Sequence, residues 1–137
     1  MFVLIIGGGR IGAGLAAALV ELGVEVGIVE KNEARADEIR DSLGTVEVTH
    51  GDGDEPVVLE SAHVSRAQIV AAMTDDDEDN LVACLLARRE YAIPWTVGRV
   101  NNPKNAWLFG QRFEVDEAAP ADSLDVVGLA EHLAARR

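Results

Sequence analysis

An α/β protein built on one doubly wound, six-stranded parallel sheet with a C-terminal helix is predicted by three features of the sequence. The branched apolar run Val3-Leu4-Ile5-Ile6 opens directly into glycines at positions 7, 9 and 12. A second apolar run, Val24 to Val29, ends in an acid, Glu30, which lies 18 residues beyond Gly12. From there onward, strand-length apolar runs alternate with helix-length stretches, as a parallel sheet with helices on both faces requires.

Each element has its own signal. The first strand is expected near residues 2–6 and the first helix, rich in alanine, over 10–22. Strand two follows at 24–30 and helix two at 33–43, with Gly44 placed where a left-handed cap would end it. Strand three is read at 45–50, a short helix at 55–61 and strand four at 68–73. A long helix at 75–91 is opened by Thr74 and Asp77, which have the spacing of a capping box. Its acidic start, Asp75-Asp76-Asp77-Glu78-Asp79, is favoured by the helix dipole; consecutive helical positions point in several directions, which argues against a metal site there. Strand five spans 95–100, and Asn102-Pro103 then supplies a cap and a first-turn proline for a helix at 103–110. Strand six is placed at 113–116 and the closing helix at 123–136. In the order 3-2-1-4-5-6 the switch point falls between strands one and four, so the Gly7–Gly12 loop faces Met73–Asp76 across the carboxyl edge.

The site hypothesis comes from that loop. Glycines 7, 9 and 12 permit a sharp turn, close approach to a diphosphate and tight seating of the next helix, whose N-terminus favours negative charge. Glu30 is placed to accept hydrogen bonds from adenosine ribose hydroxyls and to repel a 2′-phosphate. Lys31 beside it blurs the choice between NAD and NADP. Arg10 is a fork-shaped cation that pairs bidentately with phosphate oxygens, and Arg99 is a further local cation.

Composition narrows the alternatives. One domain accounts for all 137 residues, and 48% hydrophobic residues suffice for a single core. The stretch Ile11–Val20 is about half a membrane span, and no signal peptide is visible, so a soluble cytoplasmic protein is expected. With 24 acids against 12 bases, a net charge of −12 disfavours nucleic acid as a partner. The single cysteine, Cys84, reads as a core residue. His50, His63 and His132 are scattered, without the spacing of a zinc site or of a catalytic pair. An NAD-dependent oxidoreductase, the main rival, lacks a proton-handling group to set beside a nicotinamide. A nucleotide-free interaction module is the second rival. No catalytic residues and no metal are expected.

These motifs together resemble the N-terminal regulatory domain of potassium transporters and channels, called the TrkA-N, KTN or RCK domain. The resemblance covers nearly the full length. It is carried by Gly7-Gly8-Gly9-Arg10-Ile11-Gly12, Val29-Glu30-Lys31-Asn32, His50-Gly51-Asp52-Gly53, Ala72-Met73-Thr74-Asp75-Asp76 with Asn80, and Val97-Gly98-Arg99-Val100-Asn101-Asn102-Pro103. It implies a gating subunit that binds NAD(H), ATP, ADP or AMP and signals to a membrane-embedded potassium-conducting protein. By residue, it implies phosphates at Gly7, Gly9 and Gly12, ribose at Glu30, adenine by Asp52 and terminal phosphates at Arg10, the last sometimes across a dimer interface. Together with Ile11, Lys31, Thr74 and Arg99, these form the expected nucleotide site. Relatives with a divalent-ion site carry an acid directly after the proline that follows strand six. Here Pro120 is followed by Ala121, so no metal is expected there. Many relatives continue into a second ligand-binding domain where this chain stops at Arg137, so a single-domain member and a piece of a longer chain both fit.

Self-association as a homodimer or higher oligomer is expected to bury Leu81, Val82, Leu85 and Leu86 together with Trp107, Leu108 and Phe109. The closing helix, with Val126, Val127, Leu129, Ala130 and Leu133, is a further candidate for crossing onto a partner.

Overall fold

The structure, a computed structural model, describes all residues 1–137. Its six strands form one parallel sheet in the order β3-β2-β1-β4-β5-β6. Strand β1 (Phe2–Ile6) is central and buried throughout. It pairs with β2 (Glu25–Glu30) on one side and β4 (Ile69–Ala72) on the other. Beyond them lie β3 (Glu47–His50), β5 (Trp95–Val100) and β6 (Glu117–Pro120).

The period-2 alternation of β1 divides the core in two. Val3 and Ile5 face a cluster completed by Leu15 and Leu19 of α1 (Arg10–Glu21), Ile39 of α2 (Glu33–Ser42) and Leu133 of α5 (Val126–Ala134). Phe2, Leu4 and Ile6 face the opposite cluster, with Leu59 of α3 (Pro56–Ser61) and Cys84 of α4 (Asp77–Tyr91). Helices thus cover both faces and leave the carboxyl ends of β1, β2 and β4 exposed to one another across the switch point.

Several local expectations are corrected. Strand β6 lies at Glu117–Pro120 rather than at 113–116. The 113–116 segment is instead a turn in which Glu114 takes φ 58°, held by Thr96. The Thr96 hydroxyl donates to the Glu114 carbonyl, and the Asp116 carboxylate accepts the Thr96 N–H at 2.8 Å. Pro103–Leu108 forms a 3-10 helix, although Asn102 caps it as expected by accepting from Lys104 N at 3.0 Å. Helix α4 begins at Asp77 and is capped by Asp76, which accepts from Asp79 N at 3.0 Å, so Thr74 is not its cap. Helix α2 ends on Leu43 without a left-handed Gly44; the positive-φ glycines are Gly7 and Gly23.

The closing helix starts at Val126, after a 3-10 turn at Ala121–Ser123. Part of its apolar face lies on α1 of the same chain, while Val127 is exposed. Leu129, Ala130 and Leu133 are buried there. The C-terminal end of the helix is tied down: His132 Nε2 is 3.1 Å from Glu117, Arg136 stacks 3.5 Å over the Trp95 ring, and Arg137 donates to Leu22 O at 2.9 Å. No helix is long and apolar enough to cross a membrane.

Candidate functional site

A cavity of about 420 Å³ opens at the carboxyl edge, between the ends of β1, β2 and β4. Nine of the ten residues singled out from sequence line it: Gly7, Gly9, Arg10, Ile11, Glu30, Lys31, Asp52, Thr74 and Arg99. The tenth, Gly12, lies behind the wall and makes the wall possible. A Cβ on Gly12 would stand 1.8 Å from the Gly7 carbonyl oxygen, so only glycine lets the first turn of α1 sit against the loop. Gly7 itself takes φ +99°, a left-handed conformation that side chains disfavour, while its N–H donates to Val29 O at 2.8 Å. Helix α1 then starts from Gly9 with no side-chain cap and no acid in its first turn. Its first N–H groups lack intrahelical partners, an arrangement that favours an anion at a helix start.

Glu30 is 4% exposed. One carboxylate oxygen accepts the Gly8 N–H at 2.8 Å and the other the Asn32 N–H at 2.7 Å. It thereby clamps the glycine turn to the end of β2. A carboxylate offers roughly four acceptor directions, so those not used by the backbone remain open to further donors. Lys31 stands across the mouth, 3.8 Å from Asp79. Burial and the neighbouring Asp76 raise the Asp79 carboxyl above its ordinary value, against the opposing pull of Lys31.

The loop after β3 brings Asp52 to the cavity, where its carboxylate accepts the Asp54 N–H at 3.2 Å. The side-chain bond to Asp52, then burial and the charges of Asp52, Asp79 and Glu55, raise the Asp54 carboxyl. On the far wall Thr74 and Arg99 are held by a buried amide. Asn80, fully buried, accepts from Thr74 N and Thr74 Oγ1 at 3.0 and 2.7 Å, and donates to the carbonyls of Thr74 and Arg99 at 3.0 and 2.9 Å. Asp77 extends this brace to the next loop by accepting from Asn101 N, Asn102 N and Asn105 Nδ2 at 2.7, 3.0 and 2.9 Å. Burial alone would raise the Asp77 carboxyl, but these bonds outweigh it and hold the group below its ordinary value. Arg99 Nη1 donates to Met73 O at 3.2 Å, while its buried Nε has no acceptor within the chain.

Two lining residues, Arg35 and Asp54, were missed by the sequence reading. Arg35 is one turn into α2 from the Asn32 cap, and helical spacing returns it over the end of β2, with Nη1 3.8 Å from Glu30. Cys84 belongs to the core, as read; burial pushes its thiol up to about 12. The histidines serve the surface, pairing with Lys31 O, Glu47 and Glu117.

The profile of the TrkA-N domain matches residues 3–120. The Trk system potassium uptake protein TrkA of Mycobacterium tuberculosis is 37% identical over 121 residues, which cover 86% of this chain and 53% of that protein. The chain spans about half the length of the curated relatives it matches. Among solved structures, the AMP-bound Kef CTD of Shewanella denitrificans superposes with a TM-score of 0.75 at 21% identity, over 99% of this chain and 90% of that one. The GsuK channel bound to NAD gives 0.74 at 22% identity, over 87% of this chain and 21% of the channel. At these identities the superpositions establish a shared fold. The matched profile runs from the first strand, through the glycine loop and the brace around Asn80, to the proline that ends β6, and the chain belongs to the TrkA-N domain family.

Proposed function

We propose that this chain is the nucleotide-reading domain of a potassium-transport regulator. It binds NAD(H) or an adenine nucleotide (ATP, ADP or AMP) at the carboxyl edge of its sheet and passes the bound state to a membrane-embedded potassium transporter or channel subunit. The observation that carries this reading is the uncapped N-terminus of α1 set beside a buried carboxylate at the end of β2, which pairs a phosphate cradle with a ribose acceptor in one cavity. The AMP-bound Kef domain and the NAD-bound GsuK channel, which share the fold, support the ligand class. The name of the mycobacterial relative supports potassium uptake as the process.

In this reading Gly7, Gly9, Ile11 and Gly12 shape the phosphate cradle, Arg10 reaches outer phosphates, Glu30 holds the ribose and Asp52 the base. Thr74 and Arg99 close the far side, with the unpartnered Arg99 Nε donating to the ligand. The domain works at the cytoplasmic face as a homodimer or higher oligomer. Leu81 and Phe109, expected at this contact, are buried in the chain's own core, so the half-buried stripe Val82, Leu85 and Leu86, with Leu108 and the exposed Trp107, supplies the contact. Catalysis forms no part of this role: the three histidines stand apart from one another, and none of them lines the cavity.

Thermal shift with NAD, NADH, ATP, ADP and AMP tests the ligand class. A bound nucleotide at 100 times its dissociation constant stabilises the fold by about 2.7 kcal/mol, and a flat response to all five would refute the proposal. Arg10→Ala should bring the AMP, ADP and ATP affinities closer together; an unchanged ATP-to-AMP ratio would remove Arg10 from the phosphate-reading role. A monomeric mass by light scattering at micromolar concentration would refute the homo-oligomer.

A further inference from the structure

We infer that the cavity includes a subsite for a phosphate on the adenosine ribose, so that it accepts 2′-phosphorylated adenosine ligands of the NADP(H) class as well as those with free ribose hydroxyls. The inference rests on the nucleotide reading above and revises one expectation attached to Glu30.

A carboxylate at the end of β2 excludes a 2′-phosphate by charge repulsion, and its force depends on how much of that charge is free. Here little is. Both Glu30 oxygens hold backbone N–H groups, at 2.8 and 2.7 Å, and Arg35 Nη1 stands 3.8 Å from one of them. Dipoles of two N–H groups point at the carboxylate and a guanidinium stands beside it, so its repulsion of a nearby phosphate is partly offset.

The space a ribose phosphate would need is also present. A second groove of about 240 Å³ adjoins the cavity and shares Gly9, Arg10 and Arg35 with it. Gly9 forms the sill between the two. It has no side chain, and the only atom near where its Cβ would stand is Arg35 Nη1, at 3.8 Å. Gly9 thus adds no side chain to the boundary between cavity and groove, and the Arg35 guanidinium stands beside it.

The groove has the right charge. Arg10 makes no ion pair, and Arg35 is half-exposed, its one ionic neighbour lying beyond hydrogen-bond distance. Glu38 is the single acid lining the groove and Ser42 its one hydroxyl, already donated to Glu38 O. Two forked donors against one carboxylate favour a dianion, and an arginine near the end of β2 is how this fold class accommodates a 2′-phosphate. Lys31, 66% exposed, adds a third cation at the same edge.

The test is calorimetry at one fixed salt concentration on the parent chain, Arg35→Ala and Arg35→Lys. The ligands are two matched pairs, NAD with NADP and AMP with adenosine 2′,5′-bisphosphate. In the parent, each 2′-phosphorylated ligand should bind within about tenfold of its partner. Arg35→Ala should weaken the 2′-phosphorylated ligands by about tenfold or more and the others by less than about threefold, with Arg35→Lys in between. Arg35 is exposed, so neither variant threatens folding. Parent affinity for NADP more than about tenfold below that for NAD, or an equal loss of both in Arg35→Ala, overturns the inference and leaves the nucleotide reading intact. If NAD and AMP fail to bind the parent as well, the nucleotide reading falls and takes this one with it.

Discussion

Replacing Glu30 with alanine separates the two jobs of that side chain, because one is measured by folding and the other by ligand affinity. In the folded protein the carboxylate accepts from the buried Gly8 N–H and from Asn32 N–H. A hydrogen bond to a charged acceptor contributes about 1.5–3 kcal/mol. Water replaces little of the first bond, since Gly8 is buried, and much of the second, since Asn32 is exposed. The net loss is then about 2–4 kcal/mol, and with a urea slope near 2 kcal/mol/M the midpoint falls by roughly 1–2 M. Glu30→Gln keeps the shape and one acceptor oxygen while turning an amide toward the other N–H, so its loss should lie between those of parent and alanine. AMP affinity, measured by calorimetry below the unfolding transition, should fall about tenfold or more in Glu30→Ala through the missing ribose contact. A midpoint within about 0.3 M of the parent would refute the clamp. A lowered midpoint with unchanged AMP affinity would refute ribose recognition and leave the clamp standing.

Gly12→Ala should destabilise the fold by about 1–3 kcal/mol or more and abolish nucleotide binding, because its Cβ would stand 1.8 Å from the Gly7 oxygen and α1 must retreat; parent-like affinity by calorimetry would refute the seating argument. Asp77 contributes stability that is present above its unfolded value near 3.9 and is lost as pH falls through its lower folded value, since its carboxyl is depressed in the fold. Acid unfolding followed by circular dichroism should therefore be less steep below about pH 4 in Asp77→Asn than in the parent, and identical acid limbs would contradict this. Cys84, with its thiol pushed up to about 12 and fully buried, should react with a thiol reagent only at the rate of global unfolding; fast labelling of the native protein would show otherwise.

The sheet and the cradle were legible because each is encoded by residues close in sequence. Val3 to Ile6 alternate toward the two cores on their own, and Gly7, Gly9 and Gly12 state the turn, the sill and the helix seat within six positions. Glu30 was legible for the same reason: a parallel strand pair in register places its last residue beside the loop that follows β1. What escaped was set by partners distant in sequence. The Phe113-x-Val115 alternation looks like a strand, and Val115 is indeed buried. Thr96, however, uses its hydroxyl and its N–H to hold Glu114 and Asp116 in a turn, and pairing with β5 is delayed to Glu117. Nothing between residues 113 and 116 announces that a threonine on another strand will claim their polar groups.

Thr74 and Arg35 make the same point for the site. A Thr followed three residues later by an Asp has capping-box spacing, but Thr74 Oγ1 is taken by Asn80, and Asp76 caps α4 instead. Asn80 can do this because α4 begins where β4 ends and its second turn passes behind Thr74, next to the carbonyl of Arg99 on β5. The far wall of the cavity is thus rigid for a reason that no single segment contains. Arg35 sits in an acidic, polar helix and reads as one of its solvated charges; only the end of β2, one turn away, makes it a neighbour of Glu30. The rule that an acid at this position excludes a ribose phosphate assumes that the acid faces the ligand alone. In this chain both Glu30 oxygens sit on backbone N–H groups with an arginine at their side, so on the proposed reading the selectivity of the ribose edge belongs to the group of residues and not to Glu30 alone.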